Sequence, residues 1–261
     1  MIITSIVTIP NRLESLFIVL DSLLNQSIIP DFLYVSLCNY YPRSNKYFSN
    51  EEKVKLSLFL SNFKIPNKII EYDTDIGPLL KLVTPLKNHL NIDNDSFIFT
   101  IDDDTPLYEK TLECLLLSYS KNKDAIYGFS GVRENNFIHS EFLPENFDYF
   151  VVDVLGGYRG ILYATHLINK NDFFEWINMF INFSKKYNLI PMHDDHIFSY
   201  YFKYKNISRR VSNNPFSKKF IYTPIDNNDG IFNDKNAGLS YEILKNTLIE
   251  NKLEWVLYNK Y

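Results

Sequence analysis

The sequence predicts an α/β fold in which a mostly parallel sheet is flanked by helices. Apolar runs with the length of buried strands alternate with segments of helical periodicity over the first 105 residues. The order strand, helix, strand, helix, strand is typical of parallel strands joined by crossover helices. One apolar run, residues 96–101, ends in the carboxylates Asp102, Asp103 and Asp104. Ligands collect beyond the carboxyl ends of such strands, so this triplet marks the expected site.

The individual elements follow from periodicity and from capping signals. Asn11 with Glu14, and Ser49 with Glu52, each have capping-box spacing at the start of a helix. Strands are predicted at residues 2–8, 32–38, 68–72, 96–101 and 125–129, and helices at 13–24, 51–62, 108–119, 172–187 and from 240 onward. Two strand-like runs flank three glycines at 156, 157 and 160. That loop is interpreted either as a tight hairpin or as backbone that approaches a ligand.

Composition bounds the class of protein. The 261 residues, with 46% hydrophobic side chains and only 8 glycines, indicate one large α/β domain and exclude fibrous or broadly disordered chains. A net charge of −4 gives no reason to expect nucleic-acid binding. Cys38 and Cys114 lie far apart in apolar patterns and are expected to be buried thiols. No leader or membrane-spanning run is recognisable, which favours a cytoplasmic protein.

The acidic triplet is predicted to hold a divalent cation. In an extended chain Asp102 and Asp104 point one way and Asp103 the other. Two carboxylates on one side are oxygen ligands suited to Mg²⁺ or Mn²⁺ that bridges to phosphates. The structural alternative is a solvated turn in which Asp104 or Thr105 caps a helix.

Two further segments carry candidate site residues. Gly77 permits close backbone approach, and Pro78 begins a helix that places Lys81 one turn in, near a phosphate or a base. Asp194 and Asp195 are interpreted either as the cap or first turn of the next helix, or as the source of a carboxylate that takes a proton from an attacking hydroxyl. A zinc site at His193 and His196 is disfavoured, because no further soft ligands accompany them.

Taken together, several motifs resemble those of nucleotide-sugar glycosyltransferases with the GT-A fold, found in bacterial surface-polysaccharide clusters and large DNA viruses. The resemblance covers about residues 2–205 in consistent order. The motifs are Val7-Thr8-Ile9-Pro10-Asn11-Arg12, Asn25-Gln26-Ser27 followed by Pro30-Asp31, Gly77-Pro78 with Lys81, Ile101-Asp102-Asp103-Asp104, Val152-Asp153-Val154-Leu155-Gly156-Gly157, and Asp194-Asp195.

The resemblance implies a role for each matching residue. Asp102 and Asp104 match the Asp-x-Asp motif that holds Mn²⁺ or Mg²⁺ on the donor diphosphate, and Asp103 belongs to the same donor site. The other donor-site matches are Thr8, Pro10 and Arg12 at the nucleotide, and Asp75, Gly77 and Lys81 at the base and ribose. Asp194 and Asp195 match the late acidic pair, with Asp195 favoured as the catalytic base. Gly156 and Arg159 depart from the family's usual residues, which bears on acceptor choice.

The predicted protein is therefore a metal-dependent hexosyl- or deoxyhexosyltransferase of GT-A (Rossmann-like) fold. It moves a sugar from a nucleotide-diphosphate donor, with UDP-sugar favoured, to a glycan hydroxyl, with inversion. Residues 1–205 form the catalytic domain, with a nucleotide half at about 1–105 and an acceptor half at about 106–205, where the irregular stretch 130–148 is expected to contact the acceptor. Residues 206–261 form a C-terminal helical cover on the same domain. Alternatives are a sugar-nucleotide nucleotidyltransferase and a non-catalytic carbohydrate-binding or scaffold protein.

Overall fold

A computed structural model describes residues 1–42, 45–89, 92–134, 136–144, 147–187, 189–213 and 237–257. Its helices carry apolar residues at helical spacing, as the sequence predicts. In chain order they are α1 (Leu13–Leu24), α2 (Asn50–Ser61), α3 (Leu80–Asn88), α4 (Thr111–Lys121), α5 (Lys170–Lys186), α6 (Asp194–Tyr204) and α7 (Ala237–Glu250). No helix among these described residues is long and apolar enough to cross a bilayer.

The main sheet has eight strands and is mixed, with its parallel part first in the chain. In spatial order the strands are β10 (Tyr149–Val151), β13 (Ser208–Ser212), β7 (Ala125–Gly128), β12 (Ile161–Ala164), β6 (Phe97–Ile101), β1 (Ile2–Val7), β2 (Phe32–Cys38) and β5 (Asn67–Tyr72). The four strands β6, β1, β2 and β5 run parallel, whereas β12 is antiparallel to both of its neighbours. This arrangement confirms the predicted mixed, mostly parallel α/β sheet.

Smaller sheets lie outside this one. An antiparallel sheet contains β8 (Ser130–Arg133), flanked by β9 (Asn136–His139) and β11 (Val154–Leu155). A two-stranded ribbon joins β3 (Tyr40–Tyr41) to β4 (Lys46–Tyr47). Since β11 and β12 belong to different sheets, the hairpin interpretation of the glycine-rich loop is wrong.

The core has two halves, one on each face of the main sheet. Helices α1, α2 and α4 bury their leucines on one face, and α3, α5, α6 and α7 pack on the other. Successive side chains of a strand point to opposite faces of the sheet, and both faces are covered. The central strands are therefore apolar throughout, rather than alternating between apolar and polar residues. Cys38 and Cys114 are buried free thiols, as expected.

The two predicted capping boxes have different outcomes. Ser49 and Glu52 form the reciprocal pair that begins α2, as predicted. The Asn11–Glu14 box is wrong, because Asn11 has a positive φ of 76° and α1 begins after Arg12 with no side-chain cap. Glu14 instead pairs with Lys55 of α2. The left-handed backbone at Asn11 directs the Arg12 side chain toward the residues that follow β6.

The C-terminal region continues the main sheet before it covers it. Strand β13 lies between β7 and β10, so residues just beyond 205 are part of the sheet. In α7, Leu244 and Leu248 are buried against the core, and Leu253 packs beside them, as the sequence indicates. Residues 214–236, between β13 and α7, lie outside the described residues.

Gly160→Ala is expected to destabilise the fold. Gly160 has a φ of +88°, and a Cβ there would lie 2.5 Å from the ring of Phe99 in β6. Backbone strain and overpacking together predict a loss of about 2 kcal/mol or more, or roughly 4 to 8 °C in melting temperature. Thermal unfolding by circular dichroism measures it. Gly238→Ala in α7 has open space around the new methyl group and is the control expected to be neutral or stabilising. Equal melting temperatures for the two variants would contradict the prediction.

Candidate active site

Three loops converge at the carboxyl end of β6. Strands β1 and β6 are parallel neighbours with Ile6 paired to Ile101, so the chain leaves both strands at the same edge. Antiparallel β12 begins at Ile161, opposite Thr100, which brings the glycine-rich loop to that edge as well. The triplet Asp102 to Asp104 therefore emerges between the loop after β1 and the glycines.

Arg12 connects the loop after β1 to the triplet. Its Nη1 lies 2.8 Å from Asp103 Oδ1 and 3.1 Å from Asp104 Oδ2. Burial alone lowers the pKa of this guanidinium, but the carboxylates outweigh burial and raise it. Asp103 is buried, and burial raises the pKa of its carboxyl despite the attraction of Arg12 and hydrogen bonding from Thr8. Thr8 and Pro10 are themselves buried in this loop.

The triplet does not follow the alternation that an extended chain predicts. Strand β6 ends at Ile101, and Asp103 and Asp104 lie in a turn. Both of these carboxylates pair with the guanidinium of Arg12, whereas Asp102 pairs with Lys81. The period-two expectation is therefore wrong, because the turn begins with the triplet itself.

Lys81 joins the triplet to the late acidic pair. Its Nζ lies 2.5 Å from Asp102 Oδ1 and 3.0 Å from Asp194 Oδ2, and the side chain is buried. Burial would lower the pKa of this ammonium, but Asp102, Asp194 and Asp195 together raise it well above its ordinary value. One buried cation thus holds carboxylates that are 92 residues apart in the sequence, at 102 and 194.

Asp195 is held by the glycine-rich loop. The N–H of Gly157 donates to Asp195 Oδ2 at 3.0 Å, and a Cβ on Gly157 would lie 2.7 Å from Oδ1. Burial, followed by repulsion from Asp194, raises the pKa of Asp195 well above its ordinary value. Neither aspartate is the cap of α6; both occupy its first turn, where the helix dipole favours negative charge.

Gly77 fixes the loop that leads to Lys81. Its φ is +64°, and a Cβ would lie 2.6 Å from the carbonyl oxygen of Pro191. The Gly77 N–H donates to Asp75 Oδ1 at 2.7 Å. Asp75 also accepts from the thiol of Cys38, at 3.7 Å. Asp75, Gly77 and Lys81 therefore form one continuous wall beside the triplet, and Pro191 connects this wall to the start of α6.

The carboxylates of this site suit a divalent cation that also binds phosphate. Among the described residues no three carboxylate, histidine or cysteine groups form a complete cage. Asp102 and Asp104 retain 27% and 14% of their side-chain exposure. Mg²⁺ and Mn²⁺ are commonly held by one or two carboxylates with the remaining ligands from water and substrate phosphates. Burial, then repulsion from Asp102 and Asp103, raises the pKa of Asp104 to about 6, and a cation would relieve that repulsion.

The histidines beside the acidic pair face the C-terminal helix. The His193 and His196 rings lie 5.6 and 5.3 Å from that of Tyr241 in α7. Burial, with His193 adding to it, lowers the pKa of His196 to about 4. These ring contacts give the two histidines a packing role against α7.

Sequence reasoning missed two contacts of the site. It did not assign Gly157 to Asp195, although three glycines within five residues of a glycine-poor chain were a usable signal. It also missed the Arg159–Glu141 ion pair, at 2.5 Å, which ties the same loop to the segment after β9. No spacing in the sequence indicates that pairing, because the two residues come from separate elements.

No family model and no curated protein matches this chain in sequence. Solved structures do match. Staphylococcus aureus TarS residues 1–349 align over 96% of this chain and 65% of theirs, at 16% identity and a TM-score of 0.55. The mannosyltransferase PcManGT from Pyrobaculum calidifontis, in complex with GDP-Man and Mn²⁺, aligns over 99% of this chain and 65% of its own. The identity is 10% and the TM-score is 0.56. GalNAc-T7 with UDP, GalNAc and Mn²⁺ aligns over 80% of this chain and 41% of its own, at 9% identity and a TM-score of 0.55.

These likenesses show the fold. The chain has the GT-A architecture that the sequence predicts, and it spans about two thirds of the length of the TarS fragment and of the mannosyltransferase.

Asp104→Asn is expected to stabilise the metal-free protein at pH 7.5. Folding raises the pKa of this carboxyl from 3.8 to about 6, so between these values the folded state binds more protons than the unfolded chain. Stability from this group is therefore present below about pH 4 and is lost as pH rises through about 6. Removing the charge should recover about 1 to 2 kcal/mol at pH 7.5 and much less at pH 4.

Melting temperatures in chelator at the two pH values test this expectation. Asp21→Asn, at an exposed position on α1, is the control expected to show no such pH-dependent gain. A variant that is less stable than the wild type at pH 7.5 would show that Asp104 is a structural ion-pair partner of Arg12.

Proposed function

We propose that this protein is a glycosyltransferase that moves a sugar from a nucleotide-diphosphate donor to a hydroxyl of a glycan acceptor. One observation carries the proposal. In a GT-A fold, the ammonium of Lys81 contacts both Asp102, beside the expected diphosphate, and Asp194, in the pair expected to activate the acceptor. Donor-side and acceptor-side carboxylates thus face one small volume, as a direct transfer between two bound substrates requires.

The donor side is built to bind a diphosphate. Asp102 and Asp104 would hold Mn²⁺ or Mg²⁺, which when bound neutralises negative charge on the departing nucleoside diphosphate. Arg12 and Lys81 place two further positive charges beside the same carboxylates. Thr8, Pro10, Asp75 and Gly77 shape the walls where the nucleoside is proposed to bind. A UDP-sugar is the donor we favour, and residues 1–105 form its half of the domain.

Asp195 is the proposed catalytic base. The neighbouring Asp194 is buried and ion-paired with Lys81, so its carboxylate is already engaged within the protein. Asp195 forms no such ion pair with a described residue, its pKa is raised, and the Gly157 N–H orients it, which favours it as the proton acceptor. Proton removal from an acceptor hydroxyl that attacks opposite the departing diphosphate gives inversion at the anomeric carbon.

The class of product and acceptor completes the proposal. The transferred group is a hexosyl or deoxyhexosyl unit, the acceptor binds to the half formed by residues 106–205, and the reaction takes place in the cytoplasm. The products would be a nucleoside diphosphate and an extended glycan. Release of pyrophosphate from a sugar phosphate and a nucleoside triphosphate would instead identify a nucleotidyltransferase and overturn the proposal.

A nucleotide that binds this site is expected to stabilise the protein only with metal. UDP, GDP, dTDP and CDP are each added with and without Mn²⁺, and melting temperature is measured. A ligand at one hundred times its dissociation constant contributes about 2.7 kcal/mol. Asp104→Asn should abolish the metal-dependent part of the shift.

Asp103→Asn is the matched variant, since Asp103 is buried on Arg12. It should lower the starting melting temperature and retain a Mn²⁺-dependent shift. If no nucleotide stabilises the protein under any condition, the fold has been kept without donor binding, and a carbohydrate-binding or scaffold role replaces the proposal.

Gly157→Ala is expected to impair transfer more than donor binding. The added methyl group would lie 2.7 Å from Asp195 Oδ1 and must displace that carboxylate. A misplacement of about 1 Å at a reacting group costs on the order of 100-fold in rate. Steady-state transfer and the nucleotide-induced melting shift are measured side by side.

Gly156→Ala is the neighbouring control. Its methyl group would meet the hydroxyl of Ser130 and not Asp195, so the loss of transfer should be much smaller. Equal losses in the two variants would mean that the loop as a whole, and not the position of Asp195, limits the reaction.

A further inference from the structure

Four aromatic rings gather beside the glycine-rich loop, and we call Phe137, His139, Phe142 and Tyr158 the aromatic platform. The His139 ring is central: its centroid lies 6.3 Å from that of Phe137, 6.0 Å from Phe142 and 6.4 Å from Tyr158. Phe137 and His139 are two residues apart on β9, so they share one face of that strand, and their rings are within 14° of parallel.

The outer rings of the platform are unusually exposed. Phe137 is 71% exposed and Phe142 is 79% exposed, the highest values for large hydrophobic side chains in the described part of the chain. Each ring keeps apolar surface in contact with water, whereas folding buries such surface in the rest of the protein. Clustered exposed aromatics on a folded surface mark a binding site more often than isolated ones do.

The platform is held rigidly from beneath. The Tyr158 hydroxyl and His139 Nδ1 lie 3.1 Å apart, within hydrogen-bond distance. The Arg159–Glu141 ion pair, with each side chain about 10% exposed, fixes the segment that carries Phe142 to the loop that carries Tyr158. The Arg159 guanidinium also lies 5.0 Å from the Tyr158 ring centroid. A surface fixed in this way loses little conformational entropy when a ligand binds.

The platform is continuous with the candidate base. Tyr158 directly follows Gly157, whose N–H binds Asp195. The loop that orients Asp195 therefore continues directly into the platform. A glycan whose terminal hydroxyl reaches Asp195 would extend past residues of this loop.

We infer that the aromatic platform is an acceptor subsite that binds a neutral sugar ring through its C–H face. The inference rests on the proposed function. A pyranose ring has apolar C–H faces and a rim of hydroxyls; here the Phe137 and His139 rings are nearly parallel, Phe142 stands at 88° to His139, and the polar groups of Tyr158 and His139 lie beside them, which suits both features. At the β8–β9 turn the charge of Arg133 is balanced by Glu134, 3.8 Å away, and the chain has a net charge of −4, so an anionic membrane surface is disfavoured as the occupant.

Saturation-transfer NMR with methyl glycosides tests the subsite directly, without any transfer reaction. The probes are the methyl glycosides of β-glucose, β-galactose, β-N-acetylglucosamine, α-mannose and α-rhamnose, each at millimolar concentration. At least one is expected to bind the wild type and to lose several-fold in signal in Phe137→Ala and in Phe142→Ala. Phe142→Trp, which keeps a flat ring, should retain binding.

The matched control is Tyr187→Ala, an exposed aromatic at the end of α5, which should leave glycoside binding unchanged. All variants should keep the nucleotide-induced melting shift with Mn²⁺, since they lie outside the donor site. This readout separates failure of the subsite from failure of the proposed function.

Three results would overturn the subsite. The first is no binding of any glycoside by a protein that still binds nucleotide. The second is binding that Phe137→Ala and Phe142→Ala leave intact. The third is a wild type that self-associates in light scattering and becomes monomeric in those two variants, which would identify the platform as an interface between copies of the chain.

Discussion

The site depends on the pairing of two buried cations with five carboxylates. Arg12 forms ion pairs with Asp103 and Asp104. Lys81 forms ion pairs with Asp102 and Asp194, and Asp195 lies near the same ammonium. Removing one cation would leave buried carboxylates without compensation, which costs several kcal/mol. Five carboxyl groups thus share two positive charges, and mutual repulsion contributes to the raised pKa of Asp104 and of Asp195. The proposed divalent cation would supply further positive charge at this place.

This charge arrangement explains why Asp104 is expected to lower stability at neutral pH. A carboxyl whose pKa is raised to about 6 by burial and by its neighbours is poorly stabilised as an anion at neutral pH. A protein selected only for stability would place a neutral side chain there. Such strain is characteristic of sites whose ligand supplies the missing charge, because binding then recovers free energy that folding leaves unused.

Glycine permits the close approach of the loops that carry the network. Gly77 packs on the carbonyl of Pro191, and Gly157 packs on Asp195, each at a distance that leaves no room for a Cβ. These contacts link the wall before α3 and the loop before β12 to the start of α6. The same loop continues into the aromatic platform, so one short segment positions the candidate base on one side and contributes Tyr158 to the platform on the other.

Sequence patterns were enough to predict the parallel part of the main sheet and most helices, and they singled out the charged residues that the structure brings together. Strand and helix signals depend on local periodicity, and the Ser49–Glu52 cap is contained within four residues, so both could be recognised without tertiary information. The conjunction of Asp102 with Asp194 was predicted only in outline, from a resemblance.

Tertiary structure decided the rest. Lys81 as the link between Asp102 and Asp194, Gly157 as the partner of Asp195, and Arg159 as the partner of Glu141 all join residues from separate elements. The Asn11–Glu14 box failed because Asn11 adopts a left-handed turn that directs Arg12 to the triplet. The alternation of the triplet failed because the strand ends at Ile101. These features depend on contacts between residues far apart in the sequence or on where a strand ends, and neither is contained in a local sequence pattern.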